Sequence, residues 1–234
     1  MAVILNIETS AQACSVALTA EGMVLAHREV TEGRNHATLL SDFIKVCLDH
    51  AAEHEIKVEA VAVSMGPGSY TGLRIGLSEA KGLAYALGVP LIGVDTLQLM
   101  TVSTMFALAE PTGEEIFVPM VDARRMEVYT GAYDFALNPL MPQQALILDA
   151  DSYADLLATG RPVLFFGDGS SKAREVITAP NAQFIPDVIP MAVDMIALSE
   201  KAYAARDFID PAYSVPNYIK DFQATRPRNS VLGN

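Results

Sequence analysis

The sequence predicts an α/β protein built from two halves that repeat one order of elements. Three observations carry this. Short apolar runs of strand length alternate with longer segments whose apolar residues recur at helical spacing. Each half opens with a strand that ends in an acid, Glu8 in the first and Asp122 in the second, followed by a turn and a returning strand. Pro111-Thr112-Gly113 punctuates the chain between them. The expected domains are therefore residues 1–109 and 110–234.

In the first half, residues 3–7 are apolar but for Asn6 and read as a buried strand. Residues 14–19 and 24–30 are two further strands, and Ala20-Glu21-Gly22 turns the chain between them, giving a meander. Leu39, Leu40, Phe43, Ile44, Cys47, Leu48 and Ala51 recur at helical spacing and predict an amphipathic helix over 35–52. Residues 58–63 are a strand. A glycine-rich segment then leads into a helix ending near Gly88, followed by a strand at 90–94 and a helix over 96–109. The order is β-β-β-α-β-α-β-α.

The second half begins in the same way. Strands are expected at 116–121 and 127–133, with a third at 145–148 and a helical segment at 152–158. A buried strand at 163–166 runs into Gly167-Asp168-Gly169, and a helix follows over 171–177. Residues 191–206 carry a long helical pattern, and 213–219 an extended edge. This duplication is the plan of the ribonuclease H-like double fold with mixed sheets, the actin and sugar-kinase (ASKHA) type also found in heat-shock chaperones. In that fold two acids at such turns flank a nucleotide and its metal, so the site lies in the cleft between the halves.

Composition narrows the partners. The chain has 234 residues, 51% of them hydrophobic, enough for a sizeable core. No apolar run approaches the roughly 20 residues needed to span a bilayer, and residues 1–7 lack a basic leader, so a cytoplasmic protein with no membrane partner is expected. The formal charge is −12, from 16 basic and 28 acidic residues. A protein that held nucleic acid by itself would show a basic patch, because phosphate neutralisation supplies most of the affinity. Only Arg124 with Arg125, and the tail with Lys220, Arg226 and Arg228, offer local positive density, so any service to RNA is expected to be indirect. Cys14 and Cys47 sit in apolar surroundings without a Cys-x-x-Cys or Cys/His pattern, which supports neither a disulfide framework nor a zinc site.

The densest signal is Gly66-Pro67-Gly68-Ser69-Tyr70-Thr71-Gly72-Leu73-Arg74-Ile75-Gly76. Glycines before a helix can present unpaired amides to an anion. The segment nevertheless lacks the lysine of a Gly-x-x-x-x-Gly-Lys-Ser/Thr phosphate loop and the acid of a dinucleotide fingerprint. Alternatively, Gly68, Gly72, Gly76, Ala80 and Ala84 recur every four residues, a smooth ridge that permits close packing of another element. That element is either a partner molecule or the protein's own sheet. With the apolar helix before it, the ridge predicts a partner interface of Leu39, Leu40, Phe43, Cys47, Gly68, Tyr70, Gly72, Leu73, Gly76 and Ala80.

Three segments go further: Ile4-Leu5-Asn6-Ile7-Glu8-Thr9-Ser10, the glycine segment, and residues 118–129 with Val-Asp-Ala-Arg-Arg-Met-Glu-Val-Tyr. Together they closely resemble the TsaB family, also called YeaZ. The resemblance implies a noncatalytic partner of TsaD, the enzyme that places a threonylcarbamoyl group on an adenosine of transfer RNA. It further implies contact with the ATPase TsaE, self-pairing through the same face, transfer RNA met only indirectly, and no cofactor held tightly by the isolated chain, with ATP or ADP at the complex interface. In the catalytic relative the helix after the strand at 90–94 carries a His-x-x-x-His metal pair, and here those positions read Thr96 and Met100, neither of which replaces an imidazole. His50 and His54 have the spacing of a metal pair but no acidic third ligand, and they read as an exposed pair at a helix end.

Glu8-Thr9-Ser10 matches the opening phosphate-side motif of the catalytic relative. With Asp122, Arg124 and Arg125 it defines a candidate vestigial nucleotide or phosphate site. The two arginines stand where a kinase-type turn supplies small residues; they either bind phosphate through their guanidiniums or form an ion-paired surface turn. Gly167-Asp168-Gly169-Ser170-Ser171 reads equally as an adenosine-side turn or a plain strand-to-helix connection. The alternative to a partner protein is an independent ASKHA-type ATPase or phosphotransferase using Glu8 and Asp122. A metallopeptidase is the weakest reading, for want of His-x-x-x-His or His-Glu-x-x-His.

Overall fold

Two five-stranded mixed sheets organise the chain, and each is built around the first strand of its half. A computed structural model describes residues 2–31 and 36–220. In the first sheet the order is β3-β2-β1-β4-β5. β1 (Val3–Glu8) pairs antiparallel with β2 (Cys14–Ala20), which pairs antiparallel with β3 (Met23–Val30). On its other side β1 runs parallel to β4 (Ala60–Gly66), and β4 runs parallel to β5 (Leu91–Asp95). The central place of β1 explains its largely apolar run: Ile4, Leu5 and Ile7 are fully buried across both faces, and the buried Asn6 between them donates from its Nδ2 to Thr19 Oγ1 at 2.9 Å.

The second sheet repeats this arrangement. β6 (Ile116–Asp122), β7 (Glu127–Tyr133), β8 (Pro139–Ile147), β9 (Val163–Phe166) and β10 (Ala182–Ile185) lie in the order β10-β9-β6-β7-β8. Its core centres on Phe165, whose ring lies 5.2 Å from those of Tyr153 and Phe184. The buried Tyr153 hydroxyl donates to Thr130 Oγ1 at 3.1 Å, which satisfies its one polar atom.

The helices complete β-β-β-α-β-α-β-α in both halves. α1 (His36–Glu53) and α2 (Tyr70–Leu87) cover one face of the first sheet, burying Leu40, Ile44, Cys47, Leu77, Ala80 and Ala84 against Leu5, Ile7 and Val16. α3 (Thr96–Ala107) follows β5; α4 (Ala154–Leu157) and α5 (Ser170–Val176) flank β9; a 3₁₀ turn, Ala192–Met195, leads into α6 (Ile196–Ala205).

The last helix of each half crosses over. Met100 on α3 packs with Phe117, Leu164 and Phe166 of the second sheet. The segment entering α6 lays Ala192 and Met195 on Ile4, Ala60, Ala62 and Ile92 of the first. The boundary at 109/110 thus separates the two sheets, but the expected second domain, 110–234, is corrected at its end, where the closing helix belongs to the first sheet's packing. Alanines at 17, 60 and 62 make room for it, a signal that strand patterning alone does not reveal.

Three further corrections have local causes. β8 spans nine residues rather than 145–148, because its prolines and glutamines obscure the pattern; an edge strand tolerates them. β10 was not foreseen, being a short edge strand. Residues 213–219 form no strand: this stretch is a strap held by isolated bonds, Lys81 Nζ to Ser214 O at 2.7 Å and Asn217 N to Met65 O at 2.6 Å. Arg226 and Arg228 lie outside the described residues.

α2 ends as foreseen at Gly88, which has φ 67° and donates its N–H to Ala84 O and Tyr85 O. A Cβ there would meet nothing within 4 Å, so the need for glycine is conformational alone. Gly88→Ala is expected to cost about 1 kcal/mol in urea denaturation, and Gly88→Asn less, since asparagine adopts the left-handed region more readily.

Candidate functional site

The parallel strands of both sheets end at one cleft. β1, β4 and β5 deliver Glu8, Gly66 and Asp95 at one edge, and β6 and β9 deliver Asp122 and Gly167 opposite. The cavity between measures about 2340 Å³; Ser10, Gly68, Thr96, Asp122, Arg124 and Arg125 are among its lining residues.

The glycine segment joins α2 to the turn that follows β1. A Cβ on Gly68 would lie 2.3 Å from Ser10 O, one on Gly72 2.1 Å from Thr9 O, and one on Gly76 2.2 Å from Thr9 Oγ1. Thr9 Oγ1 donates to Gly72 O at 2.8 Å, and Ser69 N to Ser10 O at 2.6 Å. Backbone therefore meets backbone at this joint, and the small-residue ridge faces the protein's own interior.

Of the residues expected at a partner face, Leu40, Cys47, Gly72, Leu73, Gly76 and Ala80 are buried inside the chain. Leu39, Phe43, Gly68 and Tyr70 remain partly exposed. The exposed side of α2 is formed instead by residues such as Thr71, Arg74, Ser78, Gly82 and Tyr85.

The acids are equally constrained. Glu8 is fully buried beneath the joint, with one carboxylate oxygen accepting from Ser10 N and the other, Oε2, without a partner. Burial pushes its carboxyl up to about 7, with the bonds from Ser10 pulling the other way. Thr9 is buried too, so of Glu8-Thr9-Ser10 only Ser10 lines the cleft. Asp122 Oδ1 is held by Lys172 Nζ at 2.7 Å and by Arg124 N at 2.5 Å. Lys172, which sequence spacing did not single out, comes from α5, and no local pattern reveals its approach.

Arg124 and Arg125 have φ of 69° and 48°, the left-handed region in which glycine is at ease and arginine is not. Among the described residues neither forms an ion pair. Gly167 and Gly169 crowd Met120: a Cβ on Gly167 would lie 2.3 Å from Met120 O and 2.4 Å from Met100 Cε. The Gly167-Asp168-Gly169 turn is therefore a close-packed connection, with Asp168 Oδ1 accepting from Asp122 N at 2.8 Å. Met100 fills the space over Gly167, while the neighbouring Thr96 keeps a buried hydroxyl without a partner.

His50 and His54 stack at 4.2 Å, and His54 Nδ1 lies 2.9 Å from His50 O at the end of α1. Among the described residues no three His, Cys, Asp or Glu are grouped so as to hold a metal. Cys14 and Cys47 are free, buried thiols; burial, then the charge of Glu8, pushes Cys14 up to about 11.

A polar knot spans the two halves behind the cleft. Asp95 caps α3 at Gln98 N and accepts from Gln143 Nε2 at 2.7 Å; Gln143 also bonds Tyr133 Oη at 2.9 Å and accepts from Asn217 Nδ2 at 3.3 Å. Lys220 of the strap then pairs with Glu127.

Comparison with known proteins bears on these features. The model of the family described as TsaD, tRNA N6-adenosine threonylcarbamoyltransferase, matches residues 25–228. The tRNA threonylcarbamoyladenosine biosynthesis protein TsaB of Bacillus subtilis (strain 168) is 32% identical over 177 residues, 74% of each chain. The chain belongs to the TsaB family. The protein of that name from Escherichia coli (strain K12) is 37% identical over 130 residues, 56% of this chain and 54% of that one. YeaZ from Pseudomonas aeruginosa superposes with a TM-score of 0.74 at 27% identity, covering 93% of this chain and all of that one. The three segments that carry the family resemblance, at 4–10, 66–76 and 118–129, are the ones that meet at the joint and the cleft.

Glu8 gives this arrangement a pH signature. Its folded value of about 7 exceeds the ordinary 4.5, so it favours the folded state fully below about pH 4.5 and loses that contribution as pH rises through 7. Between pH 5 and 8 the wild type is expected to lose up to about 3 kcal/mol of stability relative to Glu8→Gln, read from denaturation midpoints at each pH.

Proposed function

We propose that the chain is the noncatalytic partner of a TsaD-like threonylcarbamoyltransferase, which it binds and orients in the cytoplasm. Membership of the TsaB family assigns it to threonylcarbamoyladenosine biosynthesis on transfer RNA. The observation that carries the noncatalytic role is the state of the two acids. Glu8 is fully buried and Asp122 is engaged by Lys172 and the Arg124 amide, so neither is free to hold a metal-bound nucleotide for transfer. The same observation counts against an independent ATPase or phosphotransferase, and the chain would meet transfer RNA through the transferase.

The outer surface of α1 and α2 is the proposed docking face, for the transferase and for a second copy of this chain, with a TsaE-like ATPase joining the complex. Leu39, Phe43 and Tyr70 keep their part in it. Gly82 and Tyr85 join them in place of the buried glycines, Tyr85 being 88% exposed. Gly82 supports this reading: a glycine in an open helix interior costs about 1 kcal/mol relative to alanine. A Cβ on it would meet nothing within 4 Å, so nothing inside the chain calls for it.

The test is reconstitution of the modification with the transferase, the ATPase, threonylcarbamoyl-adenylate synthase and transfer RNA. Omitting this chain should abolish the product. Gly82→Arg should keep or raise the isolated chain's melting temperature while lowering complex affinity by about tenfold or more. Full activity without the chain would overturn the partner role, and wild-type association of Gly82→Arg would overturn the face.

A further inference from the structure

We propose that the end of α1 holds a borderline divalent transition-metal ion, of the zinc, nickel or copper kind, between the imidazoles of His50 and His54. This goes beyond the partner role and does not depend on it. Neither histidine lines the cleft between the sheets.

The spacing brings the two rings together. Residues four apart on a helix are neighbours on its surface, and here the imidazoles stack with centroids 4.2 Å apart. Imidazole nitrogens bond such ions at about 2.0–2.1 Å, so two of them sharing one ion at right angles stand about 3 Å apart. Neither residue is buried, and rotation of the side chains brings both nitrogens within that span.

The second observation concerns the proton. His54 Nδ1 lies 2.9 Å from His50 O. A carbonyl oxygen only accepts, so Nδ1 carries the hydrogen and neutral His54 keeps its lone pair on Nε2. Metal-binding histidines are held in this manner, the ring N–H away from the ion donating to a carbonyl or carboxylate. The backbone below is fixed as well. Ile56 N donates to Ala51 O at 2.8 Å and Glu55 N to Ala52 O at 3.2 Å, the paired bonds that close a helix, with Glu55 at φ 56° where glycine is usual. His54 is thus a ligand oriented before any ion arrives.

The surroundings favour a cation. The last carbonyls of α1 form the negative end of the helix dipole. Glu53 and Glu55 are exposed beside the pair and form no ion pair among the described residues, whereas Asp49 is taken by Lys45. Imidazole suits zinc, nickel and copper, while magnesium and calcium prefer oxygen. With two nitrogens from the protein, water completes the coordination sphere. The bound ion staples the last turn of α1 to the connection that enters β4.

Isothermal titration of the full chain, free of any added histidine tag, with nickel chloride in mildly alkaline buffer tests this. The wild type should take up one ion per chain, and its melting temperature should rise in excess nickel. His50→Gln and His54→Gln should each melt like the wild type in EDTA, weaken binding about tenfold or more and abolish the rise. His27→Gln, on β3, should change neither. Zinc should compete with nickel, and magnesium should not. Uptake without a preferred stoichiometry would mean an adventitious ion only and would overturn the proposal. So would absence of binding, a melting temperature unmoved by nickel, binding that survives both substitutions, equal loss in His27→Gln, indifference to zinc or displacement by magnesium. The transferase is absent from this experiment, so such a failure leaves the partner role untouched.

Discussion

Everything at the cleft depends on how closely α2 approaches the turn after β1. The Gly72 backbone sits against Thr9 O, at a separation that leaves no room for a methyl group. Because α2 lies there, the buried Thr9 donates its hydroxyl to Gly72 O, while Ser10 is left at the cleft wall. The same closeness sets where the outer side of α2 emerges, and with it the surface available to another protein. Packing inside the first half and access at its surface are thus two consequences of one steric constraint.

The second half is held to the first by exchange rather than by a simple seam. α3 carries Met100 onto the second sheet, the chain entering α6 carries Met195 onto the first, and Asp95, Gln143 and Asn217 join the two across the gap. Burying apolar surface in both directions favours one relative placement of the sheets, since opening the cleft would expose both contacts to water.

Much of the fold was legible in the sequence because it rests on local periodicity. The largely apolar run of β1, the amphipathic spacing of α1 and the cap at Gly88 each leave a pattern within a few residues. The duplicated order of elements follows from these. What was not legible is long-range. Whether the ridge of Gly68, Gly72 and Gly76 faced inward or outward cannot be read from spacing, because both faces of a helix repeat with the same period. The pairing of Asp122 with Lys172, 50 residues on, and the complete burial of Glu8 arise from tertiary contact alone. Of the candidate site, the acids, the paired arginines and Ser10 were found from the sequence, whereas the unpartnered hydroxyl of Thr96 emerged only once α3 was seen against the cleft.

The central claim, that the glycine ridge is an internal joint, is tested most directly by the sign of one change. An alanine normally stabilises a helix interior by about 1 kcal/mol relative to glycine, and Gly82→Ala on the open face of α2 provides that reference. Gly72→Ala, measured by chemical denaturation beside it, should go the other way and lower stability by about 1–3 kcal/mol, because the added methyl meets the Thr9 backbone. If Gly72→Ala instead stabilised the chain as Gly82→Ala does, α2 would not be seated on the β1 turn, and the account built on that contact would be wrong.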